Sequence, residues 1–125
     1  SMGFRIYIAN CLNDIGEIYR LGYQQPDQAE AYYRNAMDVF REINPVSCGT
    51  SVINLALLLL GKQRYSEAKS LVLTQIEILE KSIMGVMMLA AGVGSKVTVE
   101  TDGPDEAEAM EALLELIASK FHETE

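Results

Sequence analysis

The segment Leu21-Gly22-Tyr23-Gln24 recurs as Leu60-Gly61-Lys62-Gln63, thirty-nine residues later. Ala29 and Ala68 stand at the same separation, and Ile15-Gly16 with Tyr19 aligns with Leu55-Ala56 and Leu59 at a separation of forty. A repeat of this length is one pair of helices that cannot bury its apolar face alone, so successive pairs must stack. The change from forty to thirty-nine means that the first unit carries one extra residue near its turn.

Helical spacing fills the intervals. Residues 4–21 place Ile8, Cys11, Leu12, Ile15, Ile18 and Tyr19 on one face. The opening Phe4-Arg5-Ile6-Tyr7-Ile8 also alternates as a strand does, which leaves the start of that helix open. Gly22 is a stop signal. Pro26-Asp27 opens a second helix, since proline is tolerated in a first turn and an acid there complements the helix dipole. Its stripe is Ala29, Tyr32, Tyr33, Ala36, Met37, Phe40 and Ile43, and Asn44-Pro45 ends it. Ser47, Thr50 or Ser51 caps a third helix, Val52–Leu60, which is apolar nearly all round and therefore covered on several sides. A fourth begins at Tyr65 and buries Ala68, Leu71, Val72, Gln75, Ile76 and Leu79. Gly16, Ala29, Ala36, Ala56 and Ala68 fall where two helices would cross closely.

Leu12, Ile15-Gly16, Tyr19, Ala29, Tyr33 and Ala36, followed by Leu55-Ala56, Leu59, Tyr65 and Ala68, carry a resemblance. On these positions residues 8–81 resemble two tetratricopeptide repeats. Leu59 and Val72 stand where that family has aromatics, and Gln75 where it has a small residue. The resemblance implies two helical hairpins in residues 4–81, with a concave face that holds a protein or peptide. Its lining would be Asn10, Asn13, Glu17, Arg20, Thr50, Ile53 and Leu57. The basic clamp that some members use for C-terminal carboxylates is missing.

Charge divides the chain. Residues 1–81 carry eight Lys/Arg against nine Asp/Glu, and residues 82–125 carry two against nine, so the second part holds −7 of the total −8. An acidic half repels phosphate backbones and argues against nucleic acid. No uncharged apolar run approaches the ~20 residues of a membrane span. Ser1-Met2-Gly3 reads as a remnant of expression, with no signal peptide behind it. Cys11 and Cys48 lack metal-ligand spacing and read as buried, reduced thiols of a cytoplasmic protein.

From Ser82 the pattern changes. Residues 82–92 form a helix ended by Gly92 and rich in methionine, more often a core filler than a recognition surface. Ile76, Leu79, Ile83, Val86, Met87 and Ala90 keep helical spacing across Lys81-Ser82, so a long helix is as available as a broken one. Lys96–Thr101 alternates as a strand. Pro104-Asp105-Glu106 starts a final amphipathic helix, 104–121, with Ala109, Met110, Leu113, Leu116, Ile117 and Phe121 inside and a frayed end after it. The isolated strand needs a partner: Phe4–Ile8 of the same chain, or its own copy in a homodimer paired through Val97–Glu100.

Residues 81–123, KSIMGVMMLAAGVGSKVTVETDGPDEAEAMEALLELIASKFHE, resemble the C-terminal half of the HPr phosphocarrier family of the sugar phosphotransferase system. The resemblance implies that Ser82 is a regulatory phosphoacceptor and that Ile83, Met84 and Met87 form a docking patch. The family's Gly-Leu-His-Ala-Arg-Pro segment is absent from these residues. The one histidine, His122, stands beside Glu123 with Glu125 close by, and both repel a phosphoryl donor.

The expected architecture is mainly α: residues 4–81 as two hairpins, then 82–125 as helix, strand and helix. The juxtaposition of two resemblances at Lys81-Ser82 reads as a recombined or engineered chimera. Its expected function is a non-catalytic interaction scaffold with a protein or peptide partner and with no metal, cofactor, nucleic acid or membrane. The alternative is a regulatory protein of the phosphotransferase system acting through Ser82. Nothing resembles a nucleophilic triad or a phosphate-binding loop, and the acidic run Asp102–Glu111 reads as a solvated face.

Overall fold

The computed structural model describes residues 1–93 and 103–124. Among them the chain is mainly α. Helix α1 (Met2–Glu17) runs into a π-helical turn, Ile18–Gly22. Helix α2 (Pro26–Ile43) follows, then a short 3-10 turn, Pro45–Cys48, and helix α3 (Gly49–Gly61). Helix α4 spans Tyr65–Val93 and α5 spans Gly103–Thr124. Each helix packs on the next, and α5 also reaches α3. The strand expected at Lys96–Thr101, and with it the Val97–Glu100 homodimer, lies outside the described residues. Phe4–Ile8 is helical, so it offers that strand no partner.

The core joins all five helices. Ala29, Tyr33, Met37 and Phe40 of α2 meet Val52, Leu55, Ala56 and Leu59 of α3. Ala68, Val72 and Leu79 of α4 continue it, and Met110, Leu113 and Ile117 of α5 close it. The ring of Phe121 meets Tyr65 edge-on at 5.6 Å, holding the end of α5 to the start of α4. The helix continues to Thr124, so the fraying expected after residue 121 does not begin there.

Two expectations change. The apolar face expected for residues 4–21 is not the buried one: Ile8 and Ile18 are exposed, Cys11, Leu12 and Ile15 are half-buried, and Tyr19 packs at the core's edge, while Ala9, Asn13 and Gly16 are the buried residues of α1. The cause is the closeness of α2. A Cβ on Gly16 would lie 2.6 Å from the Tyr33 ring, which is fully enclosed, so only a small-residue face fits this crossing. Nor does a serine or threonine cap α3. The Asn44 side chain accepts from the Val46 amide at 3.1 Å to start the 3-10 turn, and α3 grows out of that turn. Buried Ser51 instead bonds to Asn13.

The recurring Leu-Gly-x-Gln segment closes both first helices, though not through its glycines. Gln24 and Gln63 hold the left-handed backbone, at φ 54° and 62°. After α3 the amides of Gln63 and Arg64 donate to the carbonyls of Leu60 and Leu59, a complete Schellman cap. The extra residue of the first unit enters as the π-helical turn, where one added residue widens the ladder. The Gln25 amide then reaches Tyr19 at 2.8 Å, one residue further back than its counterpart.

Gly16→Ala is expected to cost about 1–3 kcal/mol in urea unfolding, from overpacking against Tyr33. Gly85→Ala, where the new methyl meets nothing within 4 Å, is expected to be neutral or to gain up to about 1 kcal/mol. Equal effects would refute the close crossing. Gln63→Gly is expected to stabilise by about 1 kcal/mol, because an L side chain in the left-handed region carries a steric cost that glycine lacks. The same melts would show it as a raised midpoint with unchanged slope.

Candidate functional site

Helix α4 crosses Lys81-Ser82 without a break, and the candidate site depends on that continuity. Its inward line is Ala68, Val72, Gln75 and Leu79, all buried. Gln75 donates to the Pro45 carbonyl at 3.1 Å, which gives its buried amide a partner in the turn between the hairpins. The next position on this line is Ser82, where the packed bundle has ended and the side chain is exposed. Ile83, Met84 and Met87 are exposed as well, the two methionines at 61%. Met88 joins them at 72%; its place one turn beyond Met84 was the signal for it in the sequence. Met84, Met87 and Met88 are therefore at the surface, where core was the commoner expectation. Four flexible apolar side chains in two turns make an adaptable contact surface beside a free hydroxyl.

The concave-face residues do not act as a set. Asn10, Glu17, Thr50 and Leu57 are exposed, and Arg20 and Ile53 are half-buried. Asn13 is withdrawn: its amide donates to Ser51 Oγ at 3.0 Å, and that hydroxyl donates back to Asn13 Oδ1 at 3.2 Å. The pair ties α1 to α3 and is unavailable to a ligand. Among the described residues Tyr33 Oη and Arg20 Nε are buried and lack a partner of good hydrogen-bond geometry, although the Arg20 guanidinium lies near enough to act on the Tyr33 hydroxyl. Burial pushes the Tyr33 hydroxyl above the ordinary phenol range, against the opposing pull of the Arg20 charge.

A network of charges binds the two hairpins at their turns, around a surface hollow of about 380 Å³. Lys62 holds Asp27 at 2.6 Å and Glu30 at 2.7 Å. Arg64 reaches Glu30 at 2.8 Å and Glu67, and Arg34 spans Glu30 at 3.0 Å and Glu67 at 2.6 Å. Partial burial works to raise the Glu30 carboxyl, but bonds from Lys62 and Arg34 outweigh it and hold it below its usual value. Every cation here is matched by a carboxylate, so the hollow is a clasp and no anion site.

Among the described residues no three His, Cys, Asp or Glu side chains converge to hold a metal ion. No described helix is long and apolar enough to cross a membrane. Cys11 and Cys48 form no disulfide among the described residues; Cys11 is half-buried, and the buried Cys48 thiol donates to the Met37 carbonyl at 3.5 Å. His122 falls within α5.

Comparison with known proteins bears on the α4 site. Residues 61–119 match the family model described as "PTS HPr component phosphorylation site". The HPr phosphocarrier protein of Cupriavidus necator is 78% identical over 45 residues, 36% of this chain and 51% of that protein. That of Neisseria meningitidis is 62% identical over the same share of each. That of Treponema pallidum is 41% identical over 68 residues, covering 54% of this chain and 77% of the relative. No solved structure matches the chain. The chain belongs to the HPr phosphocarrier family, and spans about half the length of the first two relatives named here. The match opens at residue 61, inside the second hairpin and twenty residues before Lys81-Ser82.

Lowering pH through the depressed Glu30 pKa is expected to remove stability. A carboxyl held below its unfolded value of 4.5 contributes fully above that pH and progressively less beneath it. Glu30→Gln should cost about 1 kcal/mol near neutrality and flatten the urea midpoint between pH 5 and 3 relative to the parent. A parallel decline in both proteins would show that the clasp is not the titrating element.

Proposed function

We propose that the chain acts as an HPr-like regulatory component of the phosphotransferase system, through protein contact and modification of Ser82. The reading rests on one observation: Ser82 is exposed beside the exposed Ile83, Met84 and Met87 on a continuous helix. These residues hold no Gly-Leu-His-Ala-Arg-Pro segment, and His122, beside Glu123 with Glu125 close by, is poorly suited to accept a phosphoryl group in its place. In the proposed step the Ser82 hydroxyl oxygen attacks the γ-phosphorus of ATP on a serine kinase. The hydroxyl proton passes to a general base of the kinase, the bond from the γ-phosphorus to the bridging oxygen breaks, and ADP leaves.

Residues 4–81 serve in this reading as a tetratricopeptide-like scaffold that carries the docking helix. The repeat spacing and the small-residue crossing at Gly16 support it. The joining of two resemblances near Lys81-Ser82 favours a recombined or engineered origin. As a scaffold alone, the chain would bind peptide through Asn10, Glu17, Arg20, Thr50, Ile53 and Leu57, without Asn13 and without catalysis.

Incubation with a family serine kinase and ATP is expected to add one phosphoryl group, located by mass spectrometry at Ser82 and lost in Ser82→Ala. Met84→Asp with Met87→Asp should slow the reaction about 10-fold or more, on the scale of one desolvated apolar contact. The histidine-directed donor of the same system should transfer nothing. An unmodified Ser82 after prolonged incubation would end this reading.

A further inference from the structure

The outward face of α1 has a spacing that a single copy of the chain leaves unused. Phe4, Ile8, Cys11, Ile15 and Ile18 follow one another at intervals of four, three, four and three. That alternation is the seam of a two-helix coiled coil. It lies across the helix from Ala9, Asn13 and Gly16, the residues α1 gives to its own core. Along this line Phe4 is 63% exposed, Ile8 38% and Ile18, in the π-helical turn that continues α1, 52%, with Cys11 and Ile15 half-buried between them; Tyr7 at 66% and Leu21 at 68% flank it.

We propose that α1 pairs with α1 of a second copy, antiparallel about a two-fold axis through Cys11. The sequence is self-complementary under that operation, as an isologous contact requires. Phe4 lies over Ile18 of the second copy and Cys11 over its Cys11, while Ile8 and Ile15 come within one residue of facing each other. On one flank Asp14 of the second copy lies within one residue of the position facing Tyr7, in reach of its hydroxyl, which donates to the carboxylate. A parallel pair gives that carboxylate no such donor, and aligns the two helix dipoles unfavourably.

Charge selects this face. The molecule carries −8, so two copies repel over most of their surface. Residues 1–22 hold Arg5, Arg20, Asp14 and Glu17, two of each sign, and Arg5 is already engaged with Glu42. Area is adequate too. Taking 150–250 Å² for a large side chain, the five exposed residues offer on the order of 500 Å² per copy, or about 1,000 Å² in all. That meets the lower bound for a specific contact.

Light scattering on the whole chain is expected to give twice the 13.8-kDa mass. Ile8→Asp with Ile18→Asp should raise the dissociation constant about 100-fold or more while leaving helical circular dichroism unchanged, since both side chains are exposed in the protomer. Copper-phenanthroline with oxygen should link two copies through Cys11, and Cys11→Ser should prevent it where Cys48→Ser does not. Orientation is read in a Cys11→Ser, Cys48→Ser background: mixed Phe4→Cys and Ile18→Cys chains cross-link, and Phe4→Cys alone does not. A monomeric parent, a dimer indifferent to the aspartates, or linkage of Phe4→Cys alone would each overturn the proposal.

Discussion

The hydrogen-bonded ladder of α4, unbroken from Tyr65 to Val93, is the constraint on which the rest of the molecule depends. At 1.5 Å per residue it is about 43 Å long. Its first half supplies Ala68, Val72 and Leu79 to the core, and α5 lays Met110, Leu113 and Ile117 against the same core. Ile83, Met84, Met87 and Met88 therefore stand at a fixed angle and distance from a packed bundle. Gly85 lies in the middle of this segment and weakens it by about 1 kcal/mol relative to alanine. Continuity holds because the cost falls on one residue of twenty-nine, and the upstream turns are anchored by burial.

The other half of the bundle is set by how closely α1 approaches α2. The Tyr33 ring over Gly16 fixes that distance. The reciprocal Asn13–Ser51 bonds then fix the rotation of α1 against α3, and the Lys62, Arg64 and Arg34 clasp ties the two turns. These contacts differ in kind. The ring contact is steric and insensitive to solution conditions. The buried pair is costly to half-remove. The clasp is exposed enough to weaken with salt and acid.

Much of this was legible in the sequence, and the failures have physical causes. The helix pairs followed from the 39-residue recurrence, and the inner face of α2 from Ala29, Tyr33, Ala36, Met37 and Phe40. The inner face of α1 was misread because hydrophobic spacing marks large side chains, whereas a close crossing selects small ones. Asn13 looked like a groove residue for the same reason: a polar side chain on a helix is usually outside, and only the buried Ser51 opposite reverses that. The extra residue was evident from the change of period, but its resolution as a π-helical turn depends on Gln24 closing the helix as Gln63 does. The α4 residues Ile83, Met84 and Met87 were singled out by resemblance, but their exposure depends on where the bundle ends, a property of tertiary packing.

Ser82 in mid-helix changes what a phosphate there would do under the proposed reading. At a helix start the modification gains free amides and a favourable dipole. Within α4 the amides are engaged in the ladder, so a group of about −1.5 to −2 charge would act only through its field and its bulk. Its sequence neighbours are Lys81 and Glu80, which nearly cancel. The added charge would fall beside Ile83 on an already acidic molecule, and would bear on whatever docks at the methionines more than on the fold. The α4 patch and the α1 stripe share one logic. A chain of net charge −8 keeps apart from its own kind over most of its surface, so it can expose apolar side chains only where a partner of matching shape outweighs the repulsion.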